Sequence, residues 1–190
     1  GHMTSIALVP DFQGGRPAML ARSGNTGTLF AYVATATGRL GSSRAIGTST
    51  WADARFIAGT PDVSGGAGGD VLMLEKDGDL WLIPGTGSGS VSASERVRLG
   101  RIPNDGRLVL PYERADDIVG FHVVRDNSTH SMRRYAFRLA YRAYVDSRPT
   151  GITVSTSDRA VVAAGDWNGD GQADIVVVKS DGRLMLHLGS

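Results

Sequence analysis

Short apolar runs alternate with clusters of Gly, Asp, Asn and Ser along the whole chain. That pattern predicts strands joined by turns. Three segments follow one plan. The last runs from Asp166 to Asp174, then through Ile175-Val176-Val177-Val178, the turn Asp181-Gly182 and the run Leu184 to Leu188. The second runs from Asp62 to Asp70, then Val71 to Leu74, then Asp77-Gly78 and Leu80 to Ile83. The first has Asp11, then Ala18 to Ala21, then Asn25-Thr26-Gly27 and Leu29 to Val33. Asp11 and Asp62 lie 51 positions apart, and Asp62 and Asp166 lie 104 apart, which is twice 52. A fourth copy therefore belongs midway, where Asp116 and Asp117 precede Ile118-Val119-Gly120-Phe121.

The expected organisation is one domain over residues 4–190, in repeats 4–54, 55–106, 107–158 and 159–190. The third is divergent and the fourth is cut short. Gly1-His2-Met3 reads as a tag remnant. Asp-Gly between apolar runs predicts a tight hairpin with both central residues at positive φ. In the third strand of the first copy Leu29, Ala31 and Val33 lie on one face, matched in the other copies by Leu80 and Leu82, and by Leu184, Leu186 and Leu188. Phe30 and Tyr32 lie on the other face, matched by Trp81 and Ile83, and by Met185 and His187. Both faces are apolar, so both are expected to be covered. Small sheets stacked face to face satisfy this, which makes the expected class all-β and the expected architecture a β-propeller of four repeats.

The pattern Ala-Gly-Asp166-Trp-Asn-Gly-Asp-Gly-x-x-Asp174, a strand, then Asp-Gly-x-Leu, resembles the FG-GAP or VCBS repeat. Gly78 to Gly89 and Ile46 to Trp51 are similar to actinobacterial members. The resemblance implies a secreted, calcium-bearing propeller that binds carbohydrate or protein. Such propellers usually have about seven blades, so this chain is a small four-bladed ring, a partial ring, or one half of a homodimer that completes a ring.

The nine positions from Asp166 carry oxygen donors at alternate places: Asp166, Asn168, Asp170, the carbonyl of Gln172, and Asp174. A hard cation with six to eight oxygen ligands suits this set, so structural calcium is the expected cofactor. A turn without an ion is the plain alternative, since Asp, Asn and Gly favour turns anyway. Asp62, Ser64 and Asp70 keep three of the positions but Gly66 replaces the fifth, so any ion there is held weakly. The first and third copies are expected to bind none.

Composition narrows the function. With 20 basic and 19 acidic side chains the net charge is +1, which gives no footprint for nucleic acid. No apolar stretch reaches the ~20 residues of a membrane span. There is no cysteine, so disulfides and thiolate chemistry are excluded. Gly is 26 of 190 residues, about twice the usual ~7%, as many tight turns require.

Trp51, past a strand end, is a candidate ligand platform. Trp81 and Trp167 align with apolar positions in the other copies and are expected in the core. Arg134, Arg138 and Arg142 alternate with Tyr135, Phe137, Leu139 and Tyr141. They form a charged strand edge or a patch for an acidic ligand, although a helix would align the same arginines. Enzyme chemistry is not expected. His122 or His130 beside Arg133 is the one candidate for a lyase base, and no Walker spacing accompanies the glycine-rich loops.

Overall fold

The computed structural model describes residues 2–103, 106–115, 118–125, 131–138, 143–170, 172 and 174–189. The chain divides into two compact units, Gly1–Arg101 and Ile102–Ser190.

The first unit holds two four-stranded antiparallel meanders. Sheet 1 is β1 (Met3–Gln13), β2 (Arg16–Ser23), β3 (Leu29–Val33) and β4 (Arg44–Gly47). Sheet 2 is β5 (Ala54–Thr60), β6 (Gly68–Glu75), β7 (Asp79–Gly85) and β8 (Val97–Arg101). One face of sheet 1, carrying Ala7, Val9, Leu20 and Ala31, packs on Ile57, Val71 and Met73 of sheet 2. The approach is close because Gly59 has no side chain: a Cβ there would meet the Leu8 carbonyl oxygen at 2.0 Å. A buried charge anchors the crossing between the sheets. The Arg22 guanidinium donates to the Trp51 and Ala52 carbonyls, both at 2.6 Å, and to Thr4 Oγ1 at 2.9 Å. These acceptors satisfy a cation that is only 8% exposed.

The second unit holds sheet 3, β9 (Gly106–Ala115), β10 (Ile118–Arg125), β11 (Ser131–Arg138) and β12 (Ala143–Thr153). Sheet 4 has three strands, β13 (Ala160–Gly165), β14 (Asp174–Val178) and β15 (Leu184–His187). Val124, Met132 and Val154 of this unit pack with Ile175 and Val177 of sheet 4. Phe121 stacks on Tyr135 with ring centroids 5.6 Å apart. Residues 131–138 are strand rather than helix.

Two expectations need correction. In the Asp77-Gly78 and Asp181-Gly182 turns, positive φ falls on the glycine alone (97° and 89°). The aspartate instead uses its side chain: Asp77 Oδ1 accepts the Asp79 N–H at 3.0 Å, and Asp181 Oδ1 accepts the Arg183 N–H at 3.0 Å. The Gly78 and Gly182 amides close back onto the carbonyls of Glu75 and Lys179. This is the longer hairpin with a left-handed glycine at its end. Second, not every sheet is covered on both faces. β6 is buried through seven of its eight residues, but Ile6 and Leu8 of sheet 1 and Val162, Leu184 and Leu186 of sheet 4 are exposed.

Candidate metal loop and ligand cleft

The Asp166–Asp174 loop joins β13 to β14. Gly165 and Gly169 take positive φ (68° and 77°), which turns the backbone sharply at both places. Asp166 Oδ1 accepts the N–H groups of Gly169 (2.7 Å) and Asp170 (3.0 Å). Asn168 Oδ1 accepts the Asp170 N–H at 3.1 Å, and its Nδ2 donates to Asp170 Oδ2 at 2.8 Å. Asp170 Oδ1 accepts the Gln172 N–H at 2.8 Å. Each bond closes a local turn of the kind Asp and Asn form readily.

Asp174 differs from the others in being buried. Its Oδ2 accepts the Trp167 N–H at 2.7 Å and its Oδ1 accepts the Gly189 N–H at 2.8 Å. The carboxylate thus ties the loop to the end of β15. The Gly189 amide holds its pKa below the ordinary carboxylate value, helped by the Trp167 and Asn168 amides and opposed by burial.

Chemically the set fits a hard cation: three carboxylates and two amide oxygens within nine residues. Their present orientation serves the backbone instead. Among the described residues no three acidic or histidine side chains stand together as an ion cage.

The loop between β5 and β6 repeats the same tie. Asp70 Oδ2 accepts the Val63 and Ser64 N–H groups at 2.9 and 2.8 Å, and Oδ1 accepts the Gly85 N–H at 2.8 Å and the Ser64 hydroxyl at 3.0 Å. Asp62 Oδ1 accepts the Gly66 N–H at 2.9 Å. Burial raises the Asp70 pKa, and the amides of Gly85, Val63 and Ser64 counter it only in part. The second repeat therefore keeps the tie while presenting two carboxylates to an ion instead of three.

The aromatic candidates exchange places. Trp51 is 1% exposed and belongs to the core, so it is not a ligand platform. A short 3-10 turn at Ser49–Trp51 swings it inward, and Gly47 leaves room for the indole. Trp167, expected in the core, is 72% exposed. Trp81 is half-buried, with Nε1 donating to Glu75 at 2.9 Å and the Arg96 guanidinium 4.1 Å above its ring.

In sheet 3, Arg134 is half-buried and lies across the ladder from His122. Arg138 pairs in register with Ile118 and Ala143, whereas Arg142, His130, Asp116 and Asp117 lie outside the described residues. His122 is buried, its pKa pushed down to about 4 by burial and then by the Arg134 charge.

Sequence reasoning passes over one feature. Beside the β3–β4 connection lies a cleft of about 570 Å³. Gln13, Arg16, Thr35, Ser42, Ser43 and Arg44 supply its polar rim, and Ala31, Val33 and Ala34 its small apolar surface. Arg44 is positioned by donating to the Gly89 carbonyl. Arg16 and Arg44 stand 28 positions apart on different strands, so no local motif announces the site.

No family model matches the chain, and no curated protein does. Among solved structures it is similar to BBS1N, crystallised in complex with ARL6DN, at 13% identity and a TM-score of 0.50, over 97% of this chain and 50% of that one. It is also similar to Sqt1 of Saccharomyces cerevisiae at 11% identity and a TM-score of 0.51, over 99% of this chain and 46% of that one. The chain thus spans about half the length of the structures it matches. Four small antiparallel sheets that match half of β-propeller chains make this an all-β fold of the partial or small propeller type.

Proposed function

We propose that the chain is a secreted, non-catalytic recognition module of the FG-GAP or VCBS type, which binds carbohydrate and carries structural calcium in the Asp166–Asp174 loop. The observation that supports this best is the cleft of about 570 Å³ on the first unit. It lies within the range of about 300–1,000 Å³ usual for small-ligand sites. Its guanidinium, amide and hydroxyl groups offer donors and acceptors in both senses, as a polyhydroxylated ligand requires. The half-buried Val33 and Ala34 give a surface small and apolar enough to meet the C–H face of a sugar ring. The oxygen-rich loop belongs to the second unit and the residues of the cleft to the first.

A glycan array probed with the purified chain, with calcium and with EDTA, tests this reading. We expect binding to a defined glycan that is lost in Arg16→Ala and Ser42→Ala, with folding unchanged by circular dichroism. A blank array from folded protein, or binding indifferent to both substitutions, overturns the carbohydrate reading. The module would then be one for protein interaction or adhesion, which the exposed apolar strands of sheets 1 and 4 favour.

A further inference from the structure

The register of sheet 1 explains how the cleft on the first unit is assembled. Gln13 pairs with Arg16, Ala18 with Val33, and Ala31 with Arg44. Paired residues share a face, and so do residues two apart on one strand. Arg16, Val33 and Arg44 therefore stand on one face of the sheet, with β3 between the two arginines. The same face carries Ala18 and Leu20 into the core.

The connection from β7 to β8 closes on this group. Ser88 bridges to Gln13, and the Gly89 carbonyl accepts from Arg44. At Gly89 φ is 90°, and a Cβ there would stand 2.5 Å from Gln13 Oε1 and 2.7 Å from Arg44 Nη2. The glycine lets the backbone approach both side chains without displacing them. Arg44 is thus fixed through one nitrogen, and the rest of its five N–H donors remain for a ligand.

Charge sets this face apart within the unit. On sheet 2, Arg96 pairs with Glu75 and Arg98 with Asp79. Among the described residues Arg16 and Arg44 have no carboxylate partner, and no Asp or Glu lines the cleft. Two guanidiniums on one face repel each other, and an oxyanion placed with them removes that cost. The forked donors of arginine suit the oxygens of a carboxylate or a sulfate.

We infer that the ligand of this cleft is an acidic saccharide, whose carboxylate or sulfate is held by Arg16 and Arg44 while its ring lies on Val33. The inference rests on the carbohydrate reading of the same cleft and adds the charge of the sugar to it.

Titration calorimetry with matched ligands tests it. The probes are uronic acid oligosaccharides, each beside its carboxyl-reduced form, and sulfated oligosaccharides, each beside its desulfated form. We expect an acidic member to bind at least about tenfold more tightly than its neutral counterpart, the yield of about one charge-assisted hydrogen bond. The pair that shows the preference tells carboxylate from sulfate. Arg16→Gln and Arg44→Gln should each abolish it, with the fold checked by circular dichroism. Arg98→Gln removes the same charge from sheet 2 and should leave the preference unchanged. Raised salt should weaken it, since both cleft arginines are exposed. Equal affinity within every pair overturns the inference and leaves the carbohydrate reading standing. A preference that survives both cleft substitutions, or falls as far in Arg98→Gln, overturns it as well. A folded chain that binds no member, acidic or neutral, overturns the inference and the carbohydrate reading together.

Discussion

The loops that open the second and fourth sheets share a carboxylate tie and differ in what surrounds it. Asp70 and Asp174 each gather amides from the start of the loop and one amide from the far end of the third strand, Gly85 or Gly189. The ninth position is therefore part of the fold in both loops, whatever ion is present. Discrimination for a cation falls to positions one, three and five: Asp166, Asn168 and Asp170 in one loop, and Asp62, Ser64 and Gly66 in the other. A sequence motif of five ligands is thus two devices, a buried tie and an exposed oxygen cluster.

Removing the tie should have the largest effect. Asp70→Ala leaves the amides of Val63, Ser64 and Gly85 without their acceptor around a fully buried position. Only Gly85 of the three is buried, and one buried unpaired donor costs about 1–3 kcal/mol, so a loss of about 2 kcal/mol in urea unfolding is expected. A loss below about 1 kcal/mol would show that water or a neighbour replaces the carboxylate and would dissolve the shared-tie reading. Asp174→Ala should also destabilise the fold, and it alone of the two should remove any calcium response.

The two ties should separate in acid. The folded pKa of Asp174 lies below the ordinary carboxylate value of 3.8, so the unfolded state binds protons first as pH falls. Its contribution is present above 3.8 and is lost as pH drops through the folded value. Asp70 runs the other way: its folded pKa lies above 3.8, so its folded form holds the proton longer and stability falls as pH rises through that window. Asp174→Asn should flatten the acid limb of a stability–pH curve and Asp70→Asn should steepen it. Parallel curves for the two variants would mean that the two environments are electrostatically alike.

Much of this contrast is legible in the sequence, and what is not has physical reasons. Alternating apolar runs and Asp-Gly turns give the strands, and the spacing from Asp166 to Asp174 marks a loop of distinct chemistry. Side-chain cover is not carried by position. Phe12 and Trp167 occupy the same place in their repeats, yet one is buried beneath a neighbouring sheet and the other is exposed. Trp51 reads as a surface residue past a strand end, but a short turn, clamped by Arg22 through the Trp51 and Ala52 carbonyls, takes it into the core. The cleft is invisible because Arg16 and Arg44 meet only through the ladder order of sheet 1.

Calcium gives a smaller effect that bears on the exposed cluster alone. With the affinity of extracellular modules, about 10⁻⁴ M, ~1 mM calcium should add about 1.4 kcal/mol of stability. Asp170→Ser should abolish that increment and leave stability in EDTA nearly unchanged, because Asp170 is exposed and serves only the loop. A melting temperature indifferent to calcium in the wild type would reduce the loop to its turn chemistry.

The smallest effect is the most specific. Gly66→Asp gives the second loop the third carboxylate that the fourth loop has. Its backbone has no positive φ to forbid a side chain, although a Cβ would stand 3.2 Å from the Gly85 carbonyl and 3.3 Å from the Ser64 hydroxyl, so some adjustment is needed. In EDTA the new charge, near Asp62 and Asp70, should destabilise the protein by about 0.5–1 kcal/mol through like-charge repulsion. In calcium part of that loss should return, and titration calorimetry should find one additional weak site. The gain is limited because Ser64 is a poorer ligand than Asn168 and its hydroxyl is committed to Asp70. Recovery in calcium would show that the tie was waiting for ligands at positions one to five. A loss equal in calcium and EDTA would show that the second loop, though stapled in the same way, does not open its oxygens toward an ion.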